Sequence, residues 1–219
     1  MQKEQQIAEM LLKCSAVKVS INSPFTWTSG IKSPVYCDNR KMISYPKERA
    51  FIVNAFKELF LETFGGAGGA GAPEYVGGTA TAAIPWAAFL AQVLEVPMVY
   101  IRPEKKEHGA GKQVEGDMKK GSRVLIVEDL ISTGGSSVNA AEAVVREGGV
   151  VSHVFAIVTY ELDEAKKRFD EAKLKLSTLT NFTAILEAAV QSGAISKEQL
   201  ILIQEFKKDP RTWAEKFLK

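Results

Sequence analysis

The chain has 219 residues, of which 46% are hydrophobic and 25% charged, and this length and composition suit one α/β domain with a small appendage. A formal net charge of +2 excludes the strong basic field expected where nucleic acid is the main partner, and no apolar run is long enough to span a bilayer. Cys14 and Cys37 are too few for a disulfide framework and the N-terminus lacks the apolar core of a signal peptide, so a cytoplasmic protein is expected.

The N-terminal third begins with a helix and continues into short strands. Apolar residues recur at helical spacing across residues 2–14, and the segments FTWTSG and SPVYCDN are typical of short strands that end in turns. Pro46 favours the first turn of a second helix. The glycine-rich residues 65–72 contain a G-x-G-x-x-G pattern, but it follows a helix and precedes a strand. A dinucleotide site needs the opposite order, so this segment is predicted to be a loop.

From residue 74 onwards, strand-like and helix-like segments alternate. EYVGG, VPMVYIRP, RVLIVEDL and VVSHVFAIVTY are expected strands, with LKLSTLT as a last short one. This alternation predicts an α/β fold with a mainly parallel, doubly wound sheet covered by helices on both faces. Residues from Asn181 onwards are expected to be helical, with Ser196 and Asp209 as N-caps. The chain is therefore divided into an N-terminal helix and hood (1–45), an α/β core (46–176) and a helical tail (177–219).

The clearest signal of a functional site lies in Arg123–Val138, with the sequence RVLIVEDLISTGGSSV. An apolar strand, Val124–Val127, ends in Glu128 and Asp129, and small residues then lead into a helix. Small residues let a backbone close around a phosphate, and the N–H groups at a helix start can donate to it. The two acids could accept hydrogen bonds from ribose hydroxyls. The structural alternative is a capped strand-to-helix turn with incidental acids. The nucleoside-triphosphate pattern G-x-x-x-x-G-K-[ST] is absent.

VLIVEDLISTGG resembles the signature by which type I phosphoribosyltransferases bind phosphoribosyl pyrophosphate (PRPP). The resemblance implies that Glu128 and Asp129 hold the ribose 2′- and 3′-hydroxyls, and that residues 132–136 hold the 5′-phosphate. It also implies a Mg²⁺ ion carried mainly by PRPP itself rather than by dedicated metal ligands. The PRPP contacts implied in this way are Arg102, Lys106, His108, Glu128, Asp129, Leu130, Ile131, Ser132, Thr133, Gly134, Gly135 and Ser136.

A polar, glycine-bearing segment, Arg102–Gly116, has the sequence RPEKKEHGAGKQVEG. Its composition alone fits a solvated hairpin loop. Its R-x-x-x-K-x-H-G core is similar to the mobile catalytic loop of orotate phosphoribosyltransferases. The similarity implies that Lys106 and His108 act in catalysis together with Asp129, with cations covering the pyrophosphate as it departs.

Phe25–Arg40 resembles the base-binding hood of the same family, with its pattern F-T-x-x-S-G-x-x-S-P. The resemblance implies orotate contacts from Tyr36 and Cys37 in the hood and from Ser132 in the phosphate loop. The chain departs from the family at several positions. Thr28, Ala82 and Pro103 stand where some members have lysines, Tyr36 and Cys37 replace paired aromatic residues, and no arginine matches a late orotate contact near residues 159–161.

The likeness covers most of residues 1–160 and implies a type I phosphoribosyltransferase fold with a hood and a helical tail. The activity implied is transfer of ribose 5-phosphate from PRPP to N1 of orotate, giving orotidine 5′-monophosphate and pyrophosphate in de novo pyrimidine synthesis. A homodimer that shares its catalytic loop across the interface is also implied, with no nucleic acid or membrane partner. The alternatives are a purine phosphoribosyltransferase and a PRPP-sensing regulator of the same fold. The hood and the RPEKKEHG loop disfavour the first, and the lack of a basic or winged-helix segment before the core disfavours the second.

Overall fold

A computed structural model describes residues 2–27, 30–104 and 112–217. The elements, in chain order, are α1 (Lys3–Lys13), β1 (Val17–Val19), β2 (Phe25–Thr26), β3 (Lys32–Ser33), β4 (Val35–Cys37), a 3-10 helix (Asn39–Ser44), α2 (Pro46–Phe64), β5 (Tyr75–Thr79), α3 (Ile84–Leu94), β6 (Met98–Ile101), β7 (Val114–Glu115), β8 (Val124–Ile131), α4 (Gly135–Arg146), β9 (His153–Thr159), α5 (Asp163–Glu171), β10 (Lys175–Asn181), α6 (Phe182–Gln191), α7 (Lys197–Lys208) and α8 (Trp213–Phe217).

The centre of the fold is a sheet that, within the described residues, has six strands in the order β10-β9-β8-β5-β6-β7. All neighbouring pairs run parallel except β6 and β7, which are antiparallel. The predicted mainly parallel, doubly wound sheet is confirmed. Because β5, β6, β8, β9 and β10 run parallel, their carboxyl ends meet at one edge, which is where ligands collect in such folds.

Both faces of the sheet are covered by helices, as the continuous apolar runs of its strands predict. On β8, Leu125 and Val127 pack into the core that includes α1, α2, α3 and α6, whereas Val124 and Ile126 pack into the core beneath α4 and α5. All four side chains are buried. Burying each such side chain stabilises the fold by about 1.5–3 kcal/mol, so these alternating contacts hold β8 rigidly.

The hood is built from two small antiparallel pairs, β1 with β4 and β2 with β3. The helical tail reaches back to this hood. Phe206 of α7 lies edge-on to Trp27, with ring centroids 5.6 Å apart, and Trp213 of α8 packs edge-on against Phe206 at 5.8 Å. The tail therefore packs against the hood, a long-range contact that the sequence did not indicate.

Three details differ from the expectation. Strand β8 spans Val124–Ile131, one residue past the expected end at Leu130, so Glu128 and Asp129 lie within its carboxyl-terminal half rather than at its end. The tail boundary placed at residue 177 cuts β10, and helices resume only at Phe182. Helix α5 was not predicted because its sequence, DEAKKRFDE, buries only Ala165 and Phe169. None of the helices in the described part of the chain combines the length and apolar character that crossing a membrane requires.

Candidate functional site

The paired acids of β8 lie directly beneath the first turn of α4. Glu128 is buried, and its Oε2 accepts hydrogen bonds from the hydroxyls of Ser136, at 3.0 Å, and Ser137, at 3.2 Å. Its Oε1 accepts from the backbone N–H of Asp129 at 3.2 Å. The loop hydroxyls thus fix the Glu128 carboxyl in place. The phosphate contact expected of Ser136 stays a prediction, and its hydroxyl donates to Glu128 in this structure. Ser137 also donates to Glu128, which no sequence motif indicated.

The environment of the two acids favours their protonated forms. Burial, followed by the charge of neighbouring Asp129, raises the pKa of Glu128 to about 8. Burial also raises the pKa of Asp129, a rise that the positive charge of Arg40 opposes. A ligand that brings hydroxyl donors or a cation to this pair would favour the ionised carboxylates. The site is therefore suited to a polyhydroxylated or metal-bearing ligand.

The turn between β8 and α4 depends on a glycine. Gly134 is the N-cap residue of α4 and has a φ of +79°, a conformation that side chains rarely adopt. A Cβ placed there would lie 3.0 Å from Cε2 of the Phe169 ring. Glycine therefore lets the loop turn tightly over α5. The first N–H groups of α4 point into this turn, and helix-start N–H groups lack intrahelical acceptors, so they can bind an anion.

A cavity of about 390 Å³ separates the hood from this loop. Its volume falls in the range of small-molecule sites. The structure brings together here the three residues expected to contact orotate, Tyr36, Cys37 and Ser132. The complete lining consists of Trp27, Tyr36, Cys37, Leu130, Ser132, Thr133, Gly135, Ser136 and Tyr160.

Two aromatic residues of this cavity were not assigned from the sequence. Trp27 stacks on Tyr160, with ring centroids 4.7 Å apart and an angle of 16° between the planes. The indole Nε1 of Trp27 donates to the backbone oxygen of Val35 at 3.3 Å. Trp27 occupies an unspecified position of the hood pattern, but Tyr160 follows β9 at the carboxyl edge of the sheet. That position was the available signal for Tyr160, because ligands bind along this edge.

Asn39 joins the hood to the acids of β8. Its side chain is buried, and its Nδ2 donates to the backbone oxygen of Asp129 at 2.7 Å. Its Oδ1 accepts from the Cys37 thiol, with an Sγ–Oδ1 distance of 3.3 Å. Burial raises the pKa of the Cys37 thiol well above its usual value, so the group stays a neutral donor. Asn39 thus fixes the position of the hood relative to the acids of β8.

The predicted catalytic loop lies between β6 and β7. These two strands pair antiparallel, which confirms the expected hairpin at its base. Arg102 and Gln113 close its base, because the Arg102 N–H donates to the Gln113 oxygen at 2.9 Å and Gln113 Nε2 donates back at 2.8 Å. Arg102 follows β6 and so lies at the same sheet edge as Asp129. Lys106 and His108 lie outside the described residues, as does Gly109.

The remaining predicted contacts occupy the end of β8 and the loop that follows. Leu130 and Ile131 are the last residues of the strand, and Leu130, Ser132, Thr133 and Gly135 line the cavity. Within the described ranges, no three or more His, Cys, Asp or Glu side chains form a group that could hold a metal ion. Glu128 and Asp129 are carboxylates that could hold an ion brought in by a phosphate ligand, which is a common way for Mg²⁺ to bind.

Comparisons with known proteins agree with this geometry. A family model described as phosphoribosyl transferase domain matches residues 52–192. The orotate phosphoribosyltransferase of Listeria innocua is 46% identical over 212 residues, which cover 97% of this chain and 99% of the relative. A solved orotate phosphoribosyltransferase from Aeropyrum pernix aligns with a TM-score of 0.70 and 31% identity over 87% of this chain and 99% of that chain. UMP synthase from Leishmania donovani aligns with a TM-score of 0.77 and 26% identity over 94% of this chain but only 42% of that longer protein.

Proposed function

Because the chain belongs to the orotate phosphoribosyltransferase family, we propose that it transfers ribose 5-phosphate from PRPP to N1 of orotate. The products are orotidine 5′-monophosphate and pyrophosphate, and the reaction serves de novo pyrimidine synthesis. The observation that carries the proposal is the cavity of about 390 Å³ shared by the hood and the β8–α4 loop. The hood side of the cavity would bind the base and the loop side would bind the phosphate. The two reactants would then lie next to each other, as their joining requires.

The PRPP half of the site is assigned to β8 and the loop after it. Glu128 and Asp129 accept hydrogen bonds from the ribose hydroxyls, and the backbone of residues 132–136 holds the 5′-phosphate at the start of α4. The hydrogen bonds from Ser136 and Ser137 to Glu128 support this assignment, since they aim the carboxyl before a ligand arrives. Such preorganisation lowers the cost of placing the ribose.

The orotate half is assigned to the hood wall. Tyr36, Cys37 and Ser132 contact the base, and the Trp27–Tyr160 stack supplies the flat apolar surface that a planar ring requires. As the bond to pyrophosphate breaks, positive charge grows on the ribose ring, and the nearby carboxylate of Asp129 stabilises it. N1 of orotate, after its proton has been released to solvent, bonds to C1 of the ribose from the side opposite the pyrophosphate. The bond from C1 to the pyrophosphate oxygen breaks, so C1 is inverted.

The leaving pyrophosphate is assigned to Arg102 and to the loop that carries Lys106 and His108. Mg²⁺ bound to PRPP would neutralise part of the charge that develops on the pyrophosphate oxygens. Arg102 is held at the carboxyl end of β6 by its backbone pairing with Gln113, which supports a place beside this group. We also propose that the protein is cytoplasmic and forms a homodimer.

The proposal is tested by following orotate through its ultraviolet absorbance in the presence of PRPP and Mg²⁺. We expect orotate to be consumed, and hypoxanthine, xanthine and adenine to be left unchanged. Consumption of a purine instead of orotate would favour the purine enzyme, and no turnover with intact PRPP binding would favour a regulator.

The role of the acids is tested by Asp129→Asn, with Asp170→Asn on the exposed face of α5 as a control of equal charge change. Loss of charge-assisted hydrogen bonds to the ribose should lower kcat/KM by about 10- to 100-fold, while unfolding midpoints change little. Equal activity of the two variants would contradict the assignment.

The shared catalytic loop is tested by subunit mixing. Lys106→Ala and Asp129→Asn dimers should each keep only a small residual activity alone, but a mixed dimer would contain one site with both residues intact. Random reassortment makes about half of the dimers mixed, so roughly a quarter of all sites should recover activity. A tagged pull-down first establishes that subunits exchange. Exchange without recovered activity would mean that Lys106 acts within its own subunit.

A further inference from the structure

Arg168 of α5 lies beside the loop proposed to hold the 5′-phosphate, yet no sequence motif points to it. A Cβ placed on Gly135, the first residue of α4, would lie 3.2 Å from Nη1 of Arg168. The guanidinium therefore lies close to Gly135, the first residue of α4. Its neighbour in the chain, Phe169, is the residue that packs against Gly134. Helix α5 is thus anchored on the loop, with Arg168 at the point of contact.

The orientation of the guanidinium is fixed from its other side. Nη2 of Arg168 donates to Oε1 of Glu164 at 2.9 Å, one turn earlier on α5. The planar guanidinium group keeps its nitrogens in a rigid arrangement, so a bond at Nη2 fixes the direction of Nη1. That direction is towards Gly135. A simple surface ion pair with Glu164 would not require the second nitrogen to approach the start of another helix.

The electrostatics of this position favour an anion between Arg168 and the loop. A helix start carries a partial positive charge, so a cation beside it is unfavourable unless negative charge is also present. Arg168 is half-exposed, and Glu164 satisfies one of its nitrogens only. A phosphate on the N–H groups of α4 would be within the field of both the helix and the guanidinium. Arginine is well suited to such recognition because its donors match phosphate oxygens.

We propose that Arg168 is a binding residue for the 5′-phosphate of PRPP and of the product nucleotide. The inference rests on the proposed function, which assigns the 5′-phosphate to residues 132–136. Arg168 adds a side-chain cation to a cradle that otherwise consists of backbone N–H groups and hydroxyls. It therefore contributes to affinity for phosphorylated ribose and makes no contact with the base.

The test compares Arg168→Gln with Lys167→Gln. Lys167 is the adjacent residue, loses the same charge and forms a similar ion pair on α5, with Glu171 at 3.9 Å. Its side chain is 77% exposed, so it serves as the matched control. Isothermal titration with ribose 5-phosphate and steady-state kinetics with PRPP and orotate are measured for both variants and for Arg168→Lys.

Arg168→Gln should weaken ribose 5-phosphate binding and raise the KM for PRPP by about 2- to 5-fold, the range expected for one partly exposed charge pair. Lys167→Gln should match the wild type, Arg168→Lys should fall between them, and the KM for orotate should not change. Equal affinities of Arg168→Gln and Lys167→Gln would overturn the proposal, and so would parallel changes in both KM values, which indicate a structural role. A wild-type protein that neither binds ribose 5-phosphate nor consumes orotate would instead overturn the proposed function.

Discussion

The tight turn at Gly134 makes a quantitative prediction about the phosphate loop. Gly134→Ala introduces a side chain at a φ of +79° and places its Cβ 3.0 Å from the buried Phe169 ring. The left-handed conformation costs about 1–2 kcal/mol for a non-glycine residue, and the reduced freedom of the unfolded chain offsets about 0.4–1 kcal/mol of this. Crowding against a buried ring adds about 1–3 kcal/mol. We expect the free energy of unfolding to fall by about 1–4.5 kcal/mol.

Gly193→Ala provides a matched control for the backbone part of this cost. Gly193 follows α6 with a φ of +73°, and within the described residues no heavy atom outside its immediate neighbours lies within 4 Å of a Cβ placed there. Only the conformational cost applies, so a loss of no more than about 1.5 kcal/mol is expected. The difference between the two variants isolates the contact with Phe169.

Urea denaturation followed by tryptophan fluorescence measures both variants, since the chain has three tryptophans. Adding Phe169→Leu to Gly134→Ala should recover part of the loss, because the smaller side chain makes room for the new Cβ. The KM for PRPP should rise in Gly134→Ala and stay unchanged in Gly193→Ala. Equal losses of stability in the two alanine variants would refute the steric reasoning and leave only the backbone conformation.

Three further predictions follow from contacts around the cavity. Asn39→Ala removes the 2.7 Å hydrogen bond to the Asp129 carbonyl and should lower the free energy of unfolding by about 1–3 kcal/mol. It should also lower kcat, and an unchanged kcat would argue against a role of Asn39 in holding the hood. The pKa of Glu128 is raised from 4.5 to about 8, so the folded protein binds the extra proton and stability falls as pH rises through this window. Urea denaturation at pH 5 and pH 8 should show a smaller fall for Glu128→Gln. Phe206→Leu loosens the support of Trp27 and should raise the KM for orotate more than that for PRPP, a difference that kinetics with each substrate varied in turn would reveal.

Much of the fold could be predicted because its signals are local in the chain. The buried run before Glu128, the small residues after it and the proline at the start of α2 each act through their own backbone neighbours. Helix α5 escaped prediction because it is mostly polar and is fixed by packing rather than by its own periodicity. Strand β8 runs one residue past the expected Leu130, because its pairing with β9 continues to Ile131.

The sequence by itself determined the layered α/β architecture, which depends on residue types at short spacing. Its resemblance to the family indicated the hood and the loop proposed to hold the phosphate. Only the tertiary structure decided which side chains meet across the cavity. The Trp27–Tyr160 stack, the bond from Asn39 to Asp129 and the position of Arg168 beside Gly135 each join segments far apart in the chain. Such contacts depend on strand order, register and the depth at which helices pack on the sheet, and hydrophobic periodicity carries no information about these distances.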